Sequence, residues 1–453
     1  MAHIKTLPES TRLKITYRNT GDLNPYAGNA RTHSDKQIAQ IAASIRKFGF
    51  TNPVLIDDNG GIVAGHGRVA AAKQLGIAEV PTIALCHLTP AERRAYVIAD
   101  NRLAELAGWD REILKIEFQA LADLDLDFEL EITGFETAEL DLLLDEGVGD
   151  AADDPADDVP APEPGPAVTQ PGDVWCLGKH RLICGDARDP ATYAALMGND
   201  RARAVFTDPP YNVKIDGHVC GSGAVKHREF AMASGEMDAG AFTAFLEDSL
   251  GAMAAASLDG AIHFVSMDWR HTAELQAAGD KVYGELKNLV VWAKNNGGMG
   301  TFYRSRHELI YVWKVGTAPH TNTFGLGEHG RYRTNVWDYP GVNSFGRNQT
   351  DLALHPTVKP VALVADAIKD VTRRGEIVLD GFGGSGTTLI AAERTGRVAR
   401  LVELDPIYCD VICRRYAALT GTAPVLEASG ETFEPIALAR AAEATKPEPE
   451  AAE

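Results

Sequence analysis

Asp208-Pro209-Pro210-Tyr211 joins a carboxylate, two prolines and an aromatic ring within four residues. Each proline fixes φ and removes a backbone donor, so the loop is stiff and its carbonyls stay free to accept. Fixed acceptors beside an aromatic platform suit a flat heterocycle with an exocyclic amino group. A second constellation lies far downstream, where Asp380-Gly381-Phe382-Gly383-Gly384-Ser385-Gly386 leads into Thr387 and Thr388. Gly381, Gly383 and Gly386 have the G-x-G-x-x-G spacing that lets a backbone approach a nucleoside-containing cofactor. Glu403 closes the next apolar run, where a carboxylate can accept from both hydroxyls of a ribose. Taken alone, the glycine loop fits a dinucleotide site equally well, and the four-residue loop fits an ordinary proline turn.

Both sets need strand ends to hold them. Ala204-Val205-Phe206 reads as a buried parallel strand running into Asp208, and Ile377-Val378-Leu379 as another running into Asp380. Carboxyl ends of strands in open α/β sheets are where ligands bind. Between the two sets, residues 286–350 carry eight basic and three acidic side chains, interleaved with Trp292, Phe302, Tyr303, Tyr332, Trp337 and Tyr339. Such a loop-rich insert suits phosphate contacts and base stacking. Arg304 and Arg306 are expected at the start of a strand within it. His218, Cys220 and His227 have no recognised ligand spacing, so no metal is expected.

The chain has 453 residues, 45% of them hydrophobic and 24% charged, enough for two or three domains. Its formal charge of −19 is uneven: residues 145–173 alone hold nine acidic and no basic side chains. The acidity therefore does not exclude a DNA partner. Scattered cysteines, no signal-like start and no long apolar stretch give the expectation of a cytoplasmic, nucleoid-associated protein without membrane contact.

The N-terminal residues show Ser34 poised to cap a helix, strands near Pro53–Asp57 and Ile62–Ala64, and the turn Gly65-His66-Gly67-Arg68 before another helix. Glycines there, followed by an arginine, make a plausible anion cradle. The stretch from Asn24 to Leu85 resembles the ParB-like domain of the ParB/sulfiredoxin superfamily, which implies a nucleotide at Gly65, His66, Gly67 and Arg68. The sequence departs from the Gly-Glu-Arg-Arg of the segregation proteins, which puts nucleotide hydrolysis in doubt.

The pair of downstream loops, with His355-Pro356-Thr357-Val358-Lys359-Pro360 before the glycines, resembles the amino-methyltransferases that modify DNA. The order of the loops matches that family's β group. The resemblance implies an α/β, Rossmann-like S-adenosylmethionine-dependent methyltransferase sheet, circularly permuted, preceded by a small α+β ParB-like domain. It implies double-stranded DNA as substrate, with homodimerisation an open expectation. Carried over, Asp208 and the Pro209 carbonyl accept from the target amine, Pro210 stiffens the loop and Tyr211 stacks on the base. Phe382, Gly383, Gly384, Ser385 and Gly386 approach the cofactor's methionine part with Asp380 beside them. Glu403 holds the ribose, Thr357 and Lys359 the cofactor carboxylate, and Asp186 lies near the adenosine.

Asp at the first loop position favours adenine N6, with cytosine N4 as the alternative. A nucleotide-gated ParB-like DNA-binding protein with an accessory methyltransferase fold is the reading from another class. The expected domains are ParB-like at 1–88, a helical annex at 89–144, a flexible acidic linker at 145–172, a methyltransferase domain at 173–433 with its recognition insert near 286–350, and a disordered tail at 434–453.

Overall fold

The computed structural model describes residues 13–122, 124, 126–145, 154–163, 165–213, 235–295, 297, 302–324, 332–341 and 358–444. The chain divides into two compact units, Met1–Glu146 and Gly147–Glu453. Among the described residues no helix is long and apolar enough to cross a membrane.

The first unit is built on four strands, β1 (Ile15–Asn19), β2 (Val54–Ile56), β3 (Ile62–Ala64) and β4 (Glu79–Ala84), in the order β1-β4-β2-β3. Leu23, Val54, Ile56, Ile62, Val69, Ala72 and Val80 form its core. The helix Asp35–Phe48 starts where Ser34 Oγ accepts from the Gln37 amide, as a serine there should. Thr89 and Glu92 complete a capping box for the helix Pro90–Glu105. Two further helices, Arg111–Ala122 and Thr137–Asp145, close a separate core around Phe118, Leu140 and Leu143.

The second unit holds ten strands: β5 (Val174–Leu177), β6 (His180–Cys184), β7 (Ala202–Thr207), β8 (Ser257–Met267), β9 (Glu285–Ala293), β10 (His307–Lys314), β11 (Val336–Asp338), β12 (Ile377–Asp380), β13 (Val398–Glu403) and β14 (Val425–Leu426). They form one sheet in the order β11-β9-β10-β8-β7-β12-β13-β6-β5-β14. The centre is parallel: β7 pairs with β8 on one side and β12 on the other, and β13 pairs with β12 and β6. Strands this far inside have both faces covered, and their near-continuous apolar runs follow from that. Helices Thr387–Arg394 and Val361–Val371 pack one face through Leu389, Ile390, Leu363 and Ile368. Helix Ala239–Ala255 packs the other through Phe242, Leu246, Leu250 and Met253.

Three sequence expectations change. Residues 154–172 were expected to be part of a flexible linker, yet they lie bound along the second unit. Asp154 pairs with Arg394, Asp157 Oδ1 accepts from the Val361 amide at 2.8 Å, and Asp410 accepts from the amides of Val168 and Thr169 at 2.7 and 2.9 Å. Their few apolar groups could not form a core of their own, but specific polar bonds to a preformed surface hold them. The expected disordered tail is likewise a helix, Phe433–Ala444, in its described part. Its Arg440 Nη1 donates to the Val168 carbonyl at 2.5 Å and pairs with Asp173. Phe433 packs on Trp175, with ring centroids 5.1 Å apart.

The stretch read as a loop-rich insert contributes three strands to the sheet, with Trp292 and Trp337 in the core. Arg304 and Arg306 precede β10 instead of opening it. Phe302, Tyr303 and Tyr332 do stand in solvent, each at least 80% exposed. His218, Cys220 and His227, with Thr357, lie outside the described residues. Among the described residues no three His, Cys, Asp or Glu side chains gather as a metal site.

Candidate active site

Strand β7 ends at Thr207, and the next residue is Asp208. Its neighbour β12 ends at Asp380 and runs straight into the glycine loop. The register sets Val378 against Ala204 and Leu379 against Val205, so the two loops leave the same edge of the sheet side by side. Thr207 Oγ1 donates to Asp380 Oδ1 at 2.9 Å and ties them together. Some 170 residues of sequence separate groups that the sheet makes adjacent.

Asp380 is buried and fully committed. Besides Thr207, it accepts from the Phe382 amide on Oδ1 at 3.0 Å and from Thr388 Oγ1 on Oδ2 at 2.7 Å. Burial pushes its carboxyl up to about 7 against those three donors. It braces the turn, and its oxygens face the protein's own donors. Gly383 donates to the Val402 carbonyl at 2.8 Å, and the Gly386 amide returns to the Gly383 carbonyl at 2.8 Å. Gly386 has φ +83° at the cap of helix Thr387–Arg394, and its position leaves only 3.1 Å between a built Cβ and Ile412. Both features require glycine there. Phe382 turns toward Phe245, with ring centroids 5.9 Å apart.

Glu403 ends β13. Its Oε2 accepts from the Gly384 amide at 2.7 Å and its Oε1 from the Asp405 amide at 2.8 Å. Each oxygen retains a lone pair beyond these bonds. Burial drives the carboxyl up to about 7 in spite of the two amides, so further donors to the charged form are favoured. In front of Gly384, at φ +51°, a built Cβ meets nothing closer than 3.9 Å. An open glycine backbone beside a carboxylate with spare acceptor capacity fits the ribose and methionine parts of S-adenosylmethionine.

Asp186 stands on the same edge, two residues past Cys184, which is level with Glu403. Arg188 grips it through Nη2 at 2.6 Å and Nε at 3.1 Å, and that bond holds its carboxyl below the usual range. Sequence reasoning missed Arg415. It is buried in helix Pro406–Thr420, where its guanidinium donates to the Ser385 carbonyl at 2.8 Å and to Ala156 O at 2.6 Å. It pins the glycine loop and the bound 154–172 segment with one side chain. Nothing in its local sequence signals this.

On the base side, Asp208 accepts from Tyr211 OH on Oδ1 at 2.6 Å and from Lys359 Nζ on Oδ2 at 2.5 Å. Lys359 is 4% exposed, and its ammonium also reaches Glu308 Oε2 at 3.0 Å and Tyr211 OH at 3.2 Å. An ammonium has three N–H donors, and these three partners use them all. Lys359 was expected at the cofactor carboxylate; the structure commits it to Asp208 and Glu308. Glu308 Oε1 pairs in turn with Lys294, which lies 4.4 Å from the Trp292 ring centroid.

Burial raises the proton affinity of Asp208, Lys359 counters it, and Glu308 adds to it. Burial opposes the charge of Glu308 too, but Lys359 and Lys294 hold that carboxyl down at about 2. Neither Glu308 nor Lys294 is part of a recognisable motif. Pro209 is buried and Pro210 half-buried behind this cluster. The next residue, Asn212, has φ 52°, which costs strain for a residue that is not glycine. Its side chain compensates by donating to Met237 O at 2.8 Å and accepting from the amides of Gly235 and Met237 at 3.0 and 3.2 Å.

In the first unit, Gly65 caps helix His66–Gln74 with φ +102°. A cavity of about 220 Å³ opens there, lined among others by Arg31, His33, His66 and Arg68. Arg68 donates to Pro53 O at 3.3 Å through Nη2, while its buried Nε has no partner among the described residues.

A parallel-centred sheet thus carries the glycine loop and the Asp-Pro-Pro-Tyr loop at neighbouring strand ends. Residues 202–414 match the family described as DNA methylase, residues 12–101 the ParB N-terminal domain, and residues 112–171 the ParB-methyltransferase HTH domain. Residues 202–414 thus fall in the N6-adenine/N4-cytosine DNA methylases, a family that takes S-adenosylmethionine, and residues 12–101 in the ParB N-terminal domains. The ParB-like nuclease domain-containing protein YnaK of Escherichia coli K12 is 55% identical over 85 residues, 19% of this chain and 98% of that protein. Type II methyltransferase M2.MboI of Moraxella bovis is 29% identical over 150 residues. That match covers 32% of this chain and about half, 53%, of the relative's length. The solved PvuII DNA methyltransferase (cytosine-N4-specific) shares 15% identity at a TM-score of 0.41, covering 60% of this chain and 92% of that one.

Proposed function

We propose that the chain is a site-specific methyltransferase that moves the methyl group of S-adenosylmethionine to adenine N6 in double-stranded DNA. The observation that carries this reading is the Thr207–Asp380 bond, which sets the base loop and the cofactor loop side by side. The preference for adenine rests on Asp208 at the first position of its loop.

Glu403 accepts from the ribose hydroxyls, and the backbone from Phe382 to Gly386 packs against the methionine part. Bound there, S-adenosylmethionine supplies an electrophilic methyl group. Asp208 and the Pro209 carbonyl accept hydrogen bonds from the two amino hydrogens and turn the nitrogen lone pair toward that methyl. The N–C bond would form as the C–S bond breaks to leave the neutral thioether, and the surplus proton on nitrogen would leave by way of Asp208 to solvent. Tyr211 forms a wall of the base pocket, and its hydroxyl fixes the Asp208 carboxylate. Catalysis is then mostly orientation in a preorganised polar site. The base must leave the duplex to reach it. Phe302, Tyr303, Arg304, Arg306 and Tyr332 supply exposed aromatic and basic groups suited to duplex contacts.

Labelled cofactor with mixed-sequence DNA, followed by mass spectrometry of the nucleosides, tests the reading. N6-methyladenine is expected. N4-methylcytosine as the product would replace adenine by cytosine, and undiminished transfer by Asp208→Ala would remove the mechanism.

A second reading concerns the first unit alone. The Arg68 Nε, without a partner among the described residues and beside the Gly65–Arg68 turn, favours a phosphate-bearing nucleotide in that cavity. Titration calorimetry of the full chain with CTP and with ATP decides it, since heat from neither removes the proposal.

A further inference from the structure

Four charges alternate through the base side of the site: Lys294, Glu308, Lys359 and Asp208. They come from distant elements. Lys294 follows β9, Glu308 lies in β10, Lys359 precedes helix Val361–Val371, and Asp208 follows β7. In the sheet, β10 is separated from β7 only by β8. The outer strands, which look like a scaffold for DNA contacts, therefore reach into the base pocket. Glu308 shows 13% of its side chain to solvent and Lys359 4%, while Asp208 and Lys294 at the ends show 24% and 25%, so water screens the middle of the row least.

The row has a simple electrostatic consequence. A carboxylate with an ammonium to itself gives much of its acceptor strength to that one partner. When a second carboxylate claims part of the same ammonium, the first keeps more for a third group. Lys359 divides its donors in this way, at 2.5 Å to Asp208 and 3.0 Å to Glu308. Lys294 holds the other oxygen of Glu308 and so limits how much of Lys359 Glu308 can claim.

We propose that Glu308 and Lys294 are positioning residues that set how strongly Asp208 accepts hydrogen from the target amine, acting through the shared Lys359 ammonium and, for Glu308, also through the Tyr211 hydroxyl that reaches its Oε2 at 3.2 Å. The proposal rests on the reading of Asp208 as the acceptor for that amine. It assigns Lys359 to the base half of the site. Tyr211 from the same loop, Asp380 from β12, Lys359 and Glu308 face Asp208, with Lys294 behind Glu308. Of these, only Lys294 and Glu308 can be changed without removing a direct hydrogen-bond partner of the Asp208 carboxylate or the brace of the glycine loop.

Steady-state methyl transfer by the full chain, with DNA and labelled cofactor across pH, tests this, with thermal melting as a check on folding. Glu308→Gln should lower kcat by about tenfold or more while KM for S-adenosylmethionine stays within about twofold. Its acid limb of kcat should move to lower pH, because the negative charge that raised the proton affinity of Asp208 is gone. Lys294→Met should move the limb the other way, since Glu308 then takes a larger share of Lys359.

Limbs of both variants coinciding with wild type, while Asp208→Ala abolishes transfer, would overturn the positioning role and leave the active-site reading intact. Normal transfer by Asp208→Ala would instead remove the reading beneath it. If Glu308→Gln does not fold, Lys294→Met decides alone. A limb shifted upward supports the proposal and an unmoved one ends it.

Discussion

Asp208 and Glu403 are both carboxylates at strand ends on one edge of one sheet, yet they are held by opposite means. Asp208 has an ammonium at 2.5 Å and a phenol at 2.6 Å, while among the described residues Glu403 has two backbone amides. The ammonium and the phenol fix the orientation of Asp208 before any base arrives, although burial still raises its proton affinity. Glu403 is pushed up to about 7 by burial, with no cation among the described residues to offset it. On the proposed reading, one is prepared by the protein, and the other would be completed by the cofactor. Preparation suits a group that must orient a reacting nitrogen; completion suits a group that must hold and release a cofactor on each turnover.

The largest expected effect is on the prepared carboxylate. Asp208→Ala should lower kcat by about 10²–10⁴-fold with little change in cofactor affinity, read by single-turnover labelling and calorimetry. A cofactor affinity that falls as far as kcat would erase the contrast with Glu403. Glu403→Gln should do the reverse and weaken S-adenosylmethionine binding by about tenfold or more, since it loses a charge-assisted acceptor.

The same contrast has a pH signature. The folded-state proton affinity of Glu403 is raised, so its contribution to folding stability is present at acid pH and is lost as pH rises through about 7. Cofactor binding needs the charged form, so affinity should fall as pH drops below about 7 in the wild type and stay flat in Glu403→Gln. A wild-type affinity independent of pH between 6 and 8 (roughly one unit each side) would show that Glu403 is not completed by its ligand.

Smaller effects should come from the supports behind each carboxylate. Arg415→Met unpins the glycine loop and the bound 154–172 segment, at a cost of about 2–4 kcal/mol in denaturant unfolding. Asn212→Ala keeps the strained φ and loses three hydrogen bonds beside the base loop, costing about 1–3 kcal/mol. Asn212→Gly should cost less than Asn212→Ala, because it relieves φ while losing the same bonds.

What the sequence made legible follows from where information is local. Asp208 to Tyr211, the loop from Asp380 to Gly386 and Glu403 each sit at a strand end next to residues that mark the turn, so type and spacing sufficed. Glu308, Lys294 and Arg415 are ordinary charged residues in or beside regular elements, and only sheet order and helix packing bring them to the site. Trp292 and Trp337 were grouped with DNA-facing aromatics because they alternate with basic residues; in β9 and β11 they point into the core. The stretch 154–172 has the composition of a free linker, and composition does not show that its aspartates and backbone have partners more than 200 residues away.

The bond from Arg440 to the Val168 carbonyl joins the two ends of the second unit. The sheet does not register where the chain begins, because its two ligand loops meet by strand pairing and by Thr207–Asp380. Ends that touch can be spliced, and the ring cut open at a solvent-facing turn such as Gly198-Asn199-Asp200, with every pairing preserved. A circularly permuted chain should therefore still bring the same two loops together.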